Sequence, residues 1–108
     1  MLPENRSYEL YIIKNQKEYT FIVTDSYQKK VLKERDVLEY ILNLNKPNIL
    51  LYTNWNILYQ AIKKNLLWYW SRNNWKKLDG NNIYNLDLWK DIYERYKQGC
   101  YDVRWINL

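Results

Sequence analysis

The chain has 108 residues, enough for one core, with 17 Lys and Arg against 12 Asp and Glu and a net charge of +5. It has no histidine and one cysteine, Cys100, which excludes Ser-His and Cys-His nucleophilic chemistry, zinc sites of the Cys/His kind and an internal disulfide, and fits a reducing, cytoplasmic setting. The only glycines, Gly80 and Gly99, leave no Gly-rich phosphate loop, and no apolar run approaches the roughly 18 residues of a membrane span.

In chain order, residues 1–6 read as a loose polar lead and residues 7–108 as a single domain. Residues 7–14 and 18–25 are rich in aromatic and β-branched types, and the polar Asn15-Gln16-Lys17 between them predicts an antiparallel hairpin. Residues 27–33 add a short third strand with Val31 facing inward and lysines along an exposed edge. A helix is predicted over 36–44, with Asp36 in its first turn and Val37, Leu38, Ile41, Leu42 and Leu44 toward the core.

Ile49, Leu50, Leu51 and Tyr52 form a strand apolar on both faces. Thr53 and Asn54 are cap-type residues, and Trp55, Leu58, Ile62 and Leu66 then recur on one helical stripe. The segment 63–77 holds Lys63, Lys64, Arg72, Lys76 and Lys77 with no acid, whereas residues 1–54 balance 8 basic against 7 acidic side chains. Such a basic run is either a solvated face or a surface for an anionic partner. Asp79-Gly80-Asn81-Asn82 is a turn, and Asn85 or Asp87 starts a helix that presents Leu88, Ile92 and Tyr96 inward and ends at Gly99. Residues 101–106 are a last strand. The order predicts an α/β domain with a mixed five-stranded sheet: three antiparallel strands, then helix, strand, helices and strand.

Four motifs in order give this pattern a family likeness. Thr53-Asn54-Trp55-Asn56-Ile57-Leu58, with Ile62 four places on, resembles the T-D-S-x-Y-V segment of the ribonuclease H family. Trp70-Ser71-Arg72-Asn73-Asn74-Trp75-Lys76 is similar to the W-K-x-x-x-W-K of that family's basic handle. Asn82 to Trp89 resembles P-V-x-N-x-D-L-W, and Val103-Arg104-Trp105 resembles the V-x-W of the last strand. Residues 7–47 match in pattern alone.

The resemblance implies a ribonuclease H-like fold whose members cleave RNA in RNA/DNA hybrids with two Mg²⁺ ions held by four carboxylates. Here the resemblance places Ile13 and Asn54 where two of those carboxylates belong, and Asp36 at a third. The fourth, with a loop histidine, falls beyond the last strand, so a truncated domain without the C-terminal helix is expected. One carboxylate does not hold a metal pair, so neither a cofactor nor catalysis is expected. Asp36 then reads as a helix-start residue and Asn54 as a cap.

The part that resembles the nucleic-acid grip is retained: Lys63, Lys64, Trp68, Trp70, Arg72, Trp75, Lys76 and Lys77. Basic groups release phosphate counterions and exposed aromatics stack on bases, while the remaining tryptophans are core. The expectation is a non-catalytic module that binds an RNA-containing duplex. The alternative is a protein-interaction module acting on a nucleic-acid enzyme, such as a phage-type anti-CRISPR protein docking on a ribonucleoprotein. The strand apolar on both faces also predicts that a second copy or a partner protein covers the other side of the sheet.

Overall fold

The computed structural model describes residues 7–108, and the lead expected at residues 1–6 lies outside the described residues. The β-branched and aromatic runs form β1 (Tyr8–Asn15), β2 (Thr20–Thr24) and β3 (Lys29–Lys33). α1 (Glu34–Asn43) crosses to β4 (Ile49–Thr53), followed by α2 (Asn56–Lys63), α3 (Leu66–Arg72), α4 (Leu86–Lys97) and β5 (Tyr101–Trp105). The sheet order is β3-β2-β1-β4-β5, with the first three strands antiparallel and β4 parallel to both β1 and β5. This is the mixed five-stranded arrangement expected from the chain order. No helix among the described residues is long and apolar enough to cross a membrane.

Strand side chains alternate, so one face of the sheet is buried and the other is not. Leu10 and Ile12 of β1, Phe21 and Val23 of β2, and Ile49 and Leu51 of β4 pack under Val37, Leu38 and Ile41 of α1 and Leu58, Ala61 and Ile62 of α2. Trp55 and Trp89 are at the centre, their ring centroids 5.9 Å apart, with Phe21 and Trp70 against them at 4.5 and 5.8 Å. Burying each such side chain contributes about 1.5–3 kcal/mol. The aromatic cluster therefore joins β2, α3 and α4 into the same core.

The opposite face carries Tyr11, Ile13, Ile22, Val31, Leu50 and Tyr52, each half-buried or exposed. Tyr11 and Tyr52 stack on neighbouring strands at 4.6 Å. Val31 is a correction to the sequence reading, because it is 64% exposed on this face. Its neighbour Leu32 pairs with the buried Phe21 and packs on the core, so Val31, paired with Ile22, points away. The stripe from Trp55 to Leu66 is likewise not one helix. Asn65 adopts a left-handed conformation (φ 63°), which ends α2 and starts α3 at a new angle.

Candidate nucleic-acid interface

Two regions carry the chemistry: the corner where β1 and β4 end, and the basic segment that follows α3. At the corner, Thr53 donates its hydroxyl to the Ile12 carbonyl at 2.5 Å and accepts the Trp55 backbone N–H at 3.0 Å. Asn54 accepts the Lys14 N–H at 2.6 Å through Oδ1, while its Nδ2 donates to the Lys14 carbonyl at 3.4 Å. Its amide thus imitates one more rung of the parallel β1–β4 ladder. The cap role expected for Asn54 is corrected by this geometry: Trp55 occupies the cap position of α2 and no side chain caps that helix. Ile13 is half-buried on the open face and pairs with Ile22. Asp36 is exposed in the first turn of α1, where it favours the positive end of the helix dipole.

The start of α4 is tied to the same helix. Arg35 donates to both Asp87 oxygens, at 3.1 and 2.7 Å, and holds that carboxyl below its usual range. Asn85 donates to Glu34 at 3.1 Å. Asn85 does precede α4, as the sequence predicts, but it is left-handed (φ 58°) and its side chain makes no cap bond.

The handle is built from the end of α3 outward. Asn74 and Trp75 are both left-handed, with φ of 54° and 58°, and the Trp75 N–H reaches back to the Trp70 carbonyl at 2.7 Å. A left-handed conformation is costly for a bulky residue. Packing offsets that cost: the Trp75 ring sits edge-on to Tyr93 at 5.5 Å, with the Lys90 ammonium 5.7 Å from its centroid. Asn73 Nδ2 donates to the carbonyls of both Lys76 and Lys77 at 3.1 Å, and Lys77 N–H bonds Asn81 at 2.9 Å. Gly80, at φ 87°, closes the tight return that a residue with Cβ would strain. The loop therefore holds Lys76, Lys77 and Leu78 outward.

The structure divides the eight residues expected in the grip. Arg72, Lys76 and Lys77 lie together on the handle without a carboxylate partner among the described residues. Arg72 lies over the Trp68 ring at 5.4 Å, and Trp68 is 44% exposed, available for stacking. Lys64 is exposed at the end of α2. Lys63 turns instead toward β5, 3.6 Å from Asp102. Trp70 is 7% exposed and packs on Trp89, and Trp75 is half-buried on α4, so both brace the handle from within. Sequence reasoning missed Tyr69, Leu78 and the α4 lysines. Lys90, Tyr93 and Lys97 recur at intervals of three and four on one helical face, a signal that was present in the sequence.

No protein-family model matches the chain. It is 34% identical over 73 residues to the ribonuclease H of Thermoanaerobacter sp. (strain X514), covering 67% of this chain and 46% of that protein. It is 36% identical over 58 residues to the ribonuclease H of Chlorobium luteolum, covering 53% and 40%. Among solved structures, the PFV RNase H domain in solution superposes with a TM-score of 0.56 at 12% identity, covering 94% of this chain and 81% of that one. The foamy viral protease-reverse transcriptase bound to an RNA/DNA hybrid superposes at 0.59 and 13% identity, covering 98% and 18%. The same viral protein bound to dsDNA gives 0.59 at 12% identity, covering 99% and 86%.

The chain is ribonuclease H-like.

It spans about half the length of the curated ribonucleases H it matches. The Mg²⁺ pair that this likeness implies does not fit the residues present. Ile13 offers no oxygen, and the one oxygen of Asn54 is committed to the Lys14 amide. Among the described residues, no three side chains of His, Cys, Asp or Glu converge to hold a metal ion. In this ribonuclease H-like domain the strand-end corner is closed by backbone pairing, while on the handle Lys76 donates to Asn82 Oδ1 at 3.1 Å and no cation of Arg72, Lys76 and Lys77 meets a carboxylate among the described residues.

Proposed function

We propose that this ribonuclease H-like chain binds an RNA-containing duplex through its handle and does not cut it. The observation that carries this reading is the contrast in how polar groups are used. Asn54 spends its amide on the backbone of Lys14, whereas Arg72, Lys76 and Lys77 have no carboxylate among the described residues and face outward beside Trp68. Exposed cations without a carboxylate partner favour phosphates, whose neutralisation releases counterions and makes binding salt-dependent. The foamy viral neighbours, one bound to an RNA/DNA hybrid and one to dsDNA, support a nucleic-acid duplex as the ligand. Titration of a labelled RNA/DNA hybrid at several salt concentrations tests it. Lys76→Ala combined with Lys77→Ala should weaken binding on the order of tenfold and lower the salt slope by about 1.4–1.8, two phosphate contacts' worth. Unchanged affinity and slope would refute the assignment.

A second reading, docking on protein, has its own observation in the open sheet face. Tyr11, Val31, Leu50 and Tyr52 form an apolar strip, with Lys29 and Lys33 along β3 at one edge and Arg104 beside the Lys63-paired Asp102 along β5 at the other. A second copy packed face to face would cover this strip, so a homodimer is the occupant that the apolar surface favours. Val31→Lys should then shift a dimer to monomer in light scattering. A wild-type protein that is monomeric at high micromolar concentration removes this reading.

A further inference from the structure

The handle contains more than a phosphate grip needs. Between α3 and the loop lies a hollow of about 480 Å³ lined by Leu66, Tyr69, Trp70, Arg72, Lys76 and Leu78, within the roughly 300–1,000 Å³ of small-ligand clefts. Its floor is apolar and aromatic. Tyr69 is 61% exposed and Leu78 is 99% exposed, although an apolar side chain at a loop tip stabilises nothing in the fold. Arg72 and Lys76 also line it, and among the described residues no acidic side chain does.

The backbone of a fully paired duplex presents phosphates and sugars and has little to place in an apolar hollow. A nucleotide that has left the stack presents both parts at once: a flat apolar base and an anionic phosphate on either side. Resting on the nucleic-acid reading above, we infer that this hollow receives one unpaired nucleobase at the edge of a duplex, its flanking phosphates held by Arg72 and Lys76. The ring of Tyr69 and the side chain of Leu78 supply the walls, and Asn73, also lining the hollow, has its Nδ2 committed to the loop carbonyls and acts as a positioning residue. The ligand class is thus a duplex with a single-stranded extension or bulge, in preference to a blunt one.

The test uses the full chain and three labelled RNA/DNA hybrids of equal paired length: blunt, with a four-nucleotide extension, and with the same extension made abasic. The abasic extension keeps the phosphates and removes only the bases. The expected result is tighter binding of the base-bearing extension by on the order of fivefold or more over the abasic one, with Leu78→Ser bringing that ratio close to one. Far-ultraviolet circular dichroism and the melting temperature of the Leu78→Ser variant, whose altered residue is on the surface, confirm that it is folded. Equal affinity for base-bearing and abasic extensions, with the blunt hybrid still bound, overturns the base pocket and leaves the phosphate grip standing. Binding to none of the three overturns both. Displacement by an acidic amphipathic peptide without any gain from the bases assigns the hollow to a protein partner and also overturns it.

Discussion

The strand-end corner and the handle are neighbouring parts of one scaffold that use their polar groups in opposite ways. At the corner Thr53 and Asn54 both have partners within the fold: Thr53 bonds Ile12 and Trp55, and Asn54 bonds Lys14 twice. On the handle, Arg72 lies over the Trp68 ring, Lys76 donates to the neutral Asn82 amide and Lys77 has no ion pair among the described residues, while Leu78 is fully exposed. Satisfied groups specify structure, and unsatisfied ones are available for a ligand. The two are held by different elements of the scaffold, β1 and β4 for the corner and α3, the loop after it and α4 for the handle, so one can change without the other.

The comparison breaks most visibly inside the handle, where two tryptophans two residues apart have different roles. Trp70→Ala empties a site between Trp89 and the hollow and should cost about 3–5 kcal/mol in urea unfolding. Trp68→Ala removes an exposed ring and should change stability by less than about 0.5 kcal/mol while weakening hybrid binding. Equal stability losses for the two variants would erase the distinction between brace and contact.

The corner is tested by Asn54→Asp, which restores the carboxylate of the related motif. One carboxylate oxygen still accepts the Lys14 N–H, but the other replaces a donor facing the Lys14 carbonyl. The expected cost is about 1–3 kcal/mol near neutral pH. It shrinks in acid, because the protonated carboxyl regains a donor for that carbonyl. A variant as stable as wild type at pH 7 would show that the amide pairing is dispensable.

The smallest effect is a baseline from the far end of the sheet. Tyr8 donates its hydroxyl to Asp25, and this bond lowers the Asp25 carboxyl while raising the Tyr8 phenol. A carboxyl depressed in the folded state contributes stability above its unfolded range, and loses it as pH falls from about 4 through the folded value. The pair is half-buried and Asp25 keeps its bonds to Tyr27, Gln28 and Tyr40, so Tyr8→Phe should cost about 1 kcal/mol or less at pH 7 and flatten that acid loss. Hybrid affinity unchanged in the same variant separates this end of the sheet from the handle.

Much of the scaffold was legible in the sequence because it rests on local patterns. Alternation in β1, the stripe of Val37, Leu38 and Ile41, and the Gly80 turn each follow from residue type and spacing. Other features depend on pairing at a distance. In Lys-Lys-Val-Leu-Lys of β3 the two apolar residues are adjacent, so only the register with Phe21 decides that Leu32 turns inward and Val31 outward. Asn54 looks like a cap until Lys14, forty residues away, takes its amide. The left-handed Asn65 splits a continuous apolar stripe into two helices, which periodicity cannot register. Within the handle, the sequence pattern could not tell the supporting Trp70 from the exposed Trp68, or Lys63, turned toward Asp102, from the cations that meet no carboxylate among the described residues. Nor could it show Leu78 at the lip of a hollow.

The proposed function requires that this domain bind a hybrid and leave it intact. An RNA/DNA hybrid labelled on its RNA strand, incubated in Mg²⁺ with excess protein and run on native and denaturing gels in parallel, tests both halves at once. The prediction is a shifted complex whose RNA runs at full length. An unshifted hybrid, or RNA cut in a Mg²⁺-dependent manner, would contradict it.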